Sequence, residues 1–529
     1  MTRTWIAAAI AVSAWLSFGP PALSEDETDQ RFGTVHFATS CNDTAQRRFD
    51  RAMRYQHSFW YQSSKEIFED VLKSDPGCAV AYWGIALSLL YNPHAPPPPA
   101  NLPLGLAALQ KGQAVGARSQ RERDYIDTLT VFYTDYDKVP HVQRVQAYLK
   151  AMEALAQRYP DDDEAQIFYA ITLNVAASPN DKSYANQLKG AAILEPIFKR
   201  QPRHPGVAHY LIHLYDTPAL AQHGLDAARR YAMIAPAAPH ALHMPSHIFT
   251  RVGAWNESVS SNIASARAAK DGKDFGEQMH AMDYLVYAYL QTAQDEKARA
   301  VVSDMIAIPN IHPERFVGPY ALAVSPARYA VERGDWKGAS ELPVRPSKFA
   351  YADAMTYFAR ALGAARSGNP AAAQADIEKL TEMREKLRAA KDAYWTEQVD
   401  IQWQIVRAWV LYAEGKYGDA INTMSAAADA EDKTEKHPVT PGVPTPAREL
   451  LGQMLLERGM AREALPAFEA TLKKEPNRFN ATALAAKAAQ CLGDKAKAKE
   501  YFQRLTALAS NADTVRPDLT VARQFLATN

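Results

Sequence analysis

Histidine recurs with helical spacing in one stretch of this 529-residue chain: His209 with His213, His243 with His247, and His280 three residues before Asp283. Residues three or four apart on a helix lie on one face, so each pair can aim two side chains at one point. Imidazole together with carboxylate is a donor set for zinc or copper, with other transition metals also suited, rather than for calcium or magnesium. The candidate metal ligands are therefore His209, His213, His243, His247, His280 and Asp283. His240, Asp216, Thr250, Arg251 and Tyr287 flank them as candidate ligand-binding residues. Protonated histidine with Thr250 and Arg251 near a helix start is also a recognition set for a carboxylate or phosphate.

Two geometries are open at the second pair, because Pro245 lies between its members. A helix starting near His240 places Pro245 in or just past the first turn, where a missing N–H costs little. A helix starting at Pro245 leaves His240 and His243 in the entry loop.

The elements that position these residues follow from a repeat. Counted from Thr445 as position 1, Leu451, Gly452, Leu455, Gly459, Ala464, Phe468 and Pro476 fall at positions 7, 8, 11, 15, 20, 24 and 32. Gly493-Asp494, Ala498 and Phe502 follow one period later. Turn signals recur upstream at Gly415, Gly368, Gly334 and Gly253, and Phe68 with Pro76 repeats the spacing near the N-terminus. A frame with a period of about 34 residues resembles the tetratricopeptide repeat (TPR). The resemblance spans most of the chain in roughly ten units, several of them degenerate. It implies an all-α fold, a right-handed α-solenoid of stacked helix-turn-helix repeats, and leaves function open.

The resemblance also implies which positions line the concave groove, namely 2, 5, 9 and 12 of each first helix. With Gly253 at position 15, His240, His243, His247 and Thr250 take those four places. One period earlier, His209, His213 and Asp216 take positions 5, 9 and 12. In the following unit, with Ala298 at position 20, His280, Asp283 and Tyr287 take 2, 5 and 9. Three adjacent helices are thereby expected to face one hollow.

Composition sets the remaining bounds. Lys+Arg and Asp+Glu are equal at 59 each, which gives no basic surface for counterion release and argues against a nucleic-acid partner. Hydrophobic residues make up 47%, enough for extensive cores, and no alternating strand pattern persists. The chain has no GxSxG elbow, HExxH helix, phosphate-binding GxxxxGK[ST] loop or strand-linked GxGxxG.

Residues 1–24 read as a cleavable signal peptide: Arg3, an apolar run from Trp5 to Leu16, and Ala22-Leu23-Ser24 before the cut. The mature protein is then expected in the periplasm or secreted, and not as an integral membrane protein. An oxidising compartment permits a Cys41–Cys78 disulfide across adjacent units at the N-terminal cap, while Cys491 reads as an inert core thiol.

The domain reading is a main solenoid with its N-terminal cap at 25–436, a Pro-rich linker at 437–446, and a C-terminal TPR pair with a cap helix at 447–529. His94 to Pro99 is a second stiff connector. The aromatic run His57-Ser58-Phe59-Trp60-Tyr61 reads as cap packing, Tyr210, Tyr284 and Tyr289 as inter-helix core, and Asp161 to Glu164 as an acidic helix start. The favoured function is an exported TPR binding scaffold that takes a protein or peptide in the groove, where the His/Asp belt adds a metal or anion. A metal-delivery protein is the first alternative. A hydrolase with a metal-activated water is the second: His213, His243, His247 and His280 would be ligands, with Asp216 or Asp283 as base or supporting group. No catalytic pair is identifiable beyond the belt, which leans against an enzyme.

Overall fold

The computed structural model describes residues 31–309 and 317–528; the expected leader at 1–24 lies outside them. Among the described residues every regular element is helical. Helices pair as successive antiparallel hairpins, and the stack is an all-α helical-repeat solenoid. No described helix is long and apolar enough to cross a membrane.

Helix starts and stops follow local chemistry. The helix Asp163–Val175 is capped by Asp162, whose carboxylate accepts from the Glu164 and Ala165 amides. The helix Phe275–Gln291 is capped by Asp274 in the same way, through the Glu277 amide. The turn glycine between the two helices of the His243/His247 unit, Gly253, has φ +70°, and a Cβ there would lie 2.3 Å from the Pro476 carbonyl oxygen. Only glycine suits that left-handed corner and that approach. At Gly452 a Cβ would come 2.6 Å from the Phe468 ring. The small residue thus lets the two helices of its hairpin close on a fully buried phenylalanine, a contact worth about 2–3 kcal/mol of apolar burial.

The Cys41–Cys78 disulfide is formed. Cys491, expected as a core thiol, is instead free and exposed. It is the last residue of the helix Phe479–Cys491, where the side chain falls past the interhelical contact.

The stack does not run on as an open superhelix through its C-terminal hairpins. The Trp255 indole donates to the Asn477 carbonyl at 2.8 Å, and the Asn477 amide returns a bond to the Gly253 carbonyl at 3.0 Å. The fully buried Arg478 guanidinium bridges Glu449, Glu332 and the Tyr287 hydroxyl. Phe479 N bonds Gln291 at 3.0 Å, and Arg516 bonds Asp295 at 3.1 Å and the Leu290 carbonyl at 3.0 Å. The last hairpins thus pack back on residues 253–295. The segment 434–446, which includes the expected linker at 437–446, runs between these parts: Arg328 donates to the Gly442 carbonyl at 3.1 Å, and Glu435 takes Lys182 and the Tyr184 hydroxyl. This folding-back explains why the histidine belt is interior rather than on an open groove.

Candidate metal centre

Three neighbouring hairpins supply the histidines. Their first helices are Pro205–Tyr215, the pair Pro239–His243 and Pro245–Val252, and Phe275–Gln291. The second is one helical path with a single interruption. Met244 keeps helical angles, φ −52° and ψ −36°, so the missing Pro245 N–H breaks the ladder without swinging His243 away from His247. The helix starts at Pro239, the first of the two geometries left open by the sequence.

The belt resolves into two triads. His243, His247 and His280 each offer one donor atom, with all three within 4.8 Å of one another, and the same holds for His209, His213 and His240. His209, His243 and His247 are almost wholly inaccessible to solvent, and the other three are buried at their edges.

Within the first triad the hydrogen bonds fix the tautomers of His243 and His247. His243 Nδ1 faces Asn262 Oδ1 at 2.6 Å, and the Asn262 amide nitrogen is spent on the Ser258 carbonyl at 2.7 Å, so that oxygen is an acceptor. His247 Nδ1 faces the Asp216 carboxylate at 3.0 Å. Both Nδ1 atoms must therefore carry the proton and donate it. Both Nε2 atoms are left with lone pairs, and they stand 3.0 Å apart. The Tyr284 hydroxyl is 3.2 Å from His247 Nε2 and 3.3 Å from its Nδ1; an oxygen nearly equidistant from both nitrogens lies off the axis of the Nε2 lone pair.

Two lone pairs at that distance repel unless a cation or a proton lies between them. A shared proton is disfavoured. Burial, followed by the neighbouring imidazoles, pushes His243 well below its ordinary range. Burial lowers His247 to about 4 against the raising effect of Asp216, and lowers His280 to about 3. The imidazoles are neutral at physiological pH. Two nitrogens each about 2.0–2.1 Å from one ion, at angles from square to tetrahedral, are about 2.8–3.4 Å apart. The observed separation lies in that interval.

The second triad is pinned in the same manner. His209 Nδ1 donates to the His57 carbonyl at 2.7 Å and His240 Nδ1 faces the Glu277 carboxylate at 3.1 Å. His209 Nε2 lies 3.1 Å from His213 Nε2, and the buried His240 Nε2 has no hydrogen-bond partner among the described residues. The Phe59 ring stands against this triad, 4.3 Å from His209 and 5.2 Å from His240. His94, from the proline-rich connector, lies 4.5 Å from His213, and its Nε2 is likewise without a hydrogen-bond partner.

Asp216 organises one wall. It takes His247, Arg251 Nε at 2.8 Å and Lys436 Nζ at 2.9 Å. Burial would raise its pKa, but those cations hold it far below the usual carboxylate range. Lys436, in turn, is lowered to about 8 by burial despite Asp216.

Not every candidate reaches the triads. Asp283 is paired with the fully buried Arg328 and accepts from Ser325 at 3.1 Å, and it belongs to neither triad. The guanidinium is the stronger partner for a buried carboxylate. Thr250 bonds Ser258 at 3.3 Å, and Tyr287 bonds Glu475 at 2.9 Å. Thr250, Arg251 and Tyr287 do line a common cavity with Lys436 and Gly442, but its volume is about 30 Å³, room for little more than a water or two. The face expected to take a peptide is covered here by residues 434–446 of the chain itself.

A third buried cluster contrasts with the triads. Glu164 bonds His57 Nε2 at 3.0 Å and His204 Nε2 at 2.9 Å; His57 Nδ1 faces the Tyr210 hydroxyl at 3.0 Å, and His204 Nδ1 accepts from the Val207 amide at 3.3 Å. Every ring nitrogen is used, so this cluster ties the cap to the stack and leaves no lone pair for an ion. Sequence reasoning missed it, together with His94, Asn262, Glu277 and Lys436, because their partners are distant in the chain and have no shared spacing. Glu164 had a signal only as part of an acidic helix start, and His57 only as part of an aromatic run read as cap packing.

The fold and site define a class: a helical-repeat solenoid with histidine triads sealed inside it. No family model matches this chain, and no curated protein matches it. Solved structures give distant likenesses. A monomeric mutant of IFIT1 with Gppp-AAAA is 11% identical, with a TM-score of 0.38 over 92% of this chain and 99% of that one. The Cut9–Hcn1 APC/C hetero-tetramer gives 11% identity and a TM-score of 0.30 over 92% and 95%. A TPR domain gives 14% and 0.22 over 77% and 99%. Identities and TM-scores this low leave function to be read from the site itself.

Proposed function

We propose that this protein is an exported TPR-type scaffold whose interior binds a transition-metal ion, zinc or copper, through His243, His247 and His280. One observation carries the reading: two buried, neutral imidazoles with both Nδ1–H groups committed elsewhere present their Nε2 lone pairs to each other at 3.0 Å. The ring orientation is enforced by Asn262 and Asp216, the kind of outer support that metal-binding histidines have. Neutral nitrogen donors favour zinc, copper, nickel or iron over the hard cations. The Cys41–Cys78 disulfide supports export, since such bonds persist in oxidising compartments.

Repeat solenoids present extended surfaces to partners. With residues 434–446 across the belt, a protein partner would dock on the outer faces, and the ion would serve the interior. The test is the metal content of the full chain, purified without a histidine tag. At least one zinc or copper ion per chain is expected, and His243→Ala together with His247→Ala should lower occupancy while helix content holds. A folded chain that neither carries nor takes up a transition metal overturns the reading.

A further inference from the structure

Resting on that reading, we infer that His209, His213 and His240 hold a second transition-metal ion, so that the two triads form one binuclear centre of six imidazoles. The second triad has its own support. His209 and His240 are each fixed by an Nδ1–H bond to an oxygen acceptor, the His57 carbonyl and the Glu277 carboxylate. Their Nε2 atoms are therefore lone-pair donors. That of His240 is buried without a partner, which costs free energy unless something binds it. Three donors within 4.8 Å of one another complete the set.

The two triads share one compartment. His213 and His247 rings stand 6.3 Å apart centre to centre, and His240 and His243 rings 6.2 Å apart. The His57–Glu164–His204 cluster provides an internal contrast, because it too is buried and holds two histidines beside a carboxylate, yet all its ring nitrogens are spent.

Six neutral ligands leave the charge of the ions uncompensated in the first sphere. Asp216 and Glu277 supply two negative charges one bond further out, and Arg251 and Lys436 already offset Asp216. Held by three imidazoles each, the ions would retain net positive charge and room for a further ligand. The ligand class that fits such a charge is a small anion, hydroxide first.

The test is titration of the metal-free full chain with Cu(II) and, separately, Zn(II), read by native mass spectrometry, with electron paramagnetic resonance of the copper form. Two ions per chain are expected, with the copper signal attenuated by coupling between the ions. His209→Ala with His240→Gln should bind one ion and give a full single-copper signal. His240→Gln alone, which retains an amide for Glu277, guards against a folding artefact and should weaken the second equivalent at least tenfold. If the chain binds one ion only, and that ion is lost with His243 and His247 but not with His209 and His240, the second site is refuted and the proposed function stands. If two ions persist in the His209/His240 variant, the second site is also refuted. A chain that binds no ion refutes both.

Discussion

Lys436 reaches back to Asp216 across 220 residues of sequence and forms a buried ion pair of 2.9 Å. The same carboxylate oxygen accepts from His247 Nδ1 at 3.0 Å. A residue just before the Pro-rich linker therefore clamps the group that orients a proposed metal ligand. Lys436→Met should destabilise the fold by about 3 kcal/mol or somewhat less, since Arg251 still neutralises part of the exposed charge. Thermal and chemical denaturation of the metal-free chain measure it.

Asp216→Asn separates orientation from charge. The amide oxygen can still accept from His247, but the imidazole loses its carboxylate, and such outer changes cost about 10–100-fold in metal affinity. Competition against a chelator of known affinity reads the loss. Unchanged affinity would detach Asp216 from the site.

Acid should weaken the metal-free fold in a defined window. His247 and His280 titrate at about 4 and 3 in the folded chain, against an ordinary 6.5. Above 6.5 neither state takes up these protons and stability is full. As pH falls from 6.5 toward 4, the unfolded chain binds protons that the folded chain refuses, and stability drops by on the order of a few kcal/mol. Protons compete with metal over the same window. Denaturation midpoints between pH 7.5 and 4.5 check the sign; a fold that grows more stable over that descent would contradict buried neutral imidazoles.

Glu164→Ala is the control for the third cluster. It leaves two buried ring N–H groups without acceptors, about 1–3 kcal/mol each, and should not change metal stoichiometry. Loss of an ion on this substitution would mean that the saturated cluster takes part in binding.

Replacing Cys41 and Cys78 together by alanine removes a crosslink spanning 37 residues. The expected loss is on the order of 3–4 kcal/mol, by interpolation between shorter and longer loops. It should appear as a lower unfolding midpoint, with metal content retained once the chain is refolded at low temperature.

Much of this protein was readable in its sequence, for reasons that are local. Turn glycines at Gly253, Gly334, Gly415 and Gly459 adopt positive φ at the expected corners, because a tight helix-to-helix turn needs a left-handed residue whatever surrounds it. Spacing of four within a helix brought His209 to His213 and His243 to His247, since the backbone alone sets that proximity. The register of the repeat then put His240 and His280 on neighbouring helices facing the same hollow. The Cys41–Cys78 bridge was open to the sequence because a separation of 37, close to one repeat period of about 34, puts both cysteines at the same end of adjacent units.

Tertiary structure decided the rest. Whether a carboxylate joins a triad depends on its competing partner: Arg328, packed from another hairpin, draws Asp283 into an ion pair, while the equally plausible Asp216 becomes support for His247. Which nitrogen of His243, His240 and His209 keeps a lone pair was set by Asn262, Glu277 and a backbone carbonyl at position 57, none of which shares a spacing with the histidines. Closure of the stack through Arg478, and passage of residues 434–446 across the belt, turned an expected open groove into a sealed interior. Spacing fixes what a helix can offer; only the packing of distant segments fixes what each offered atom has left to bind.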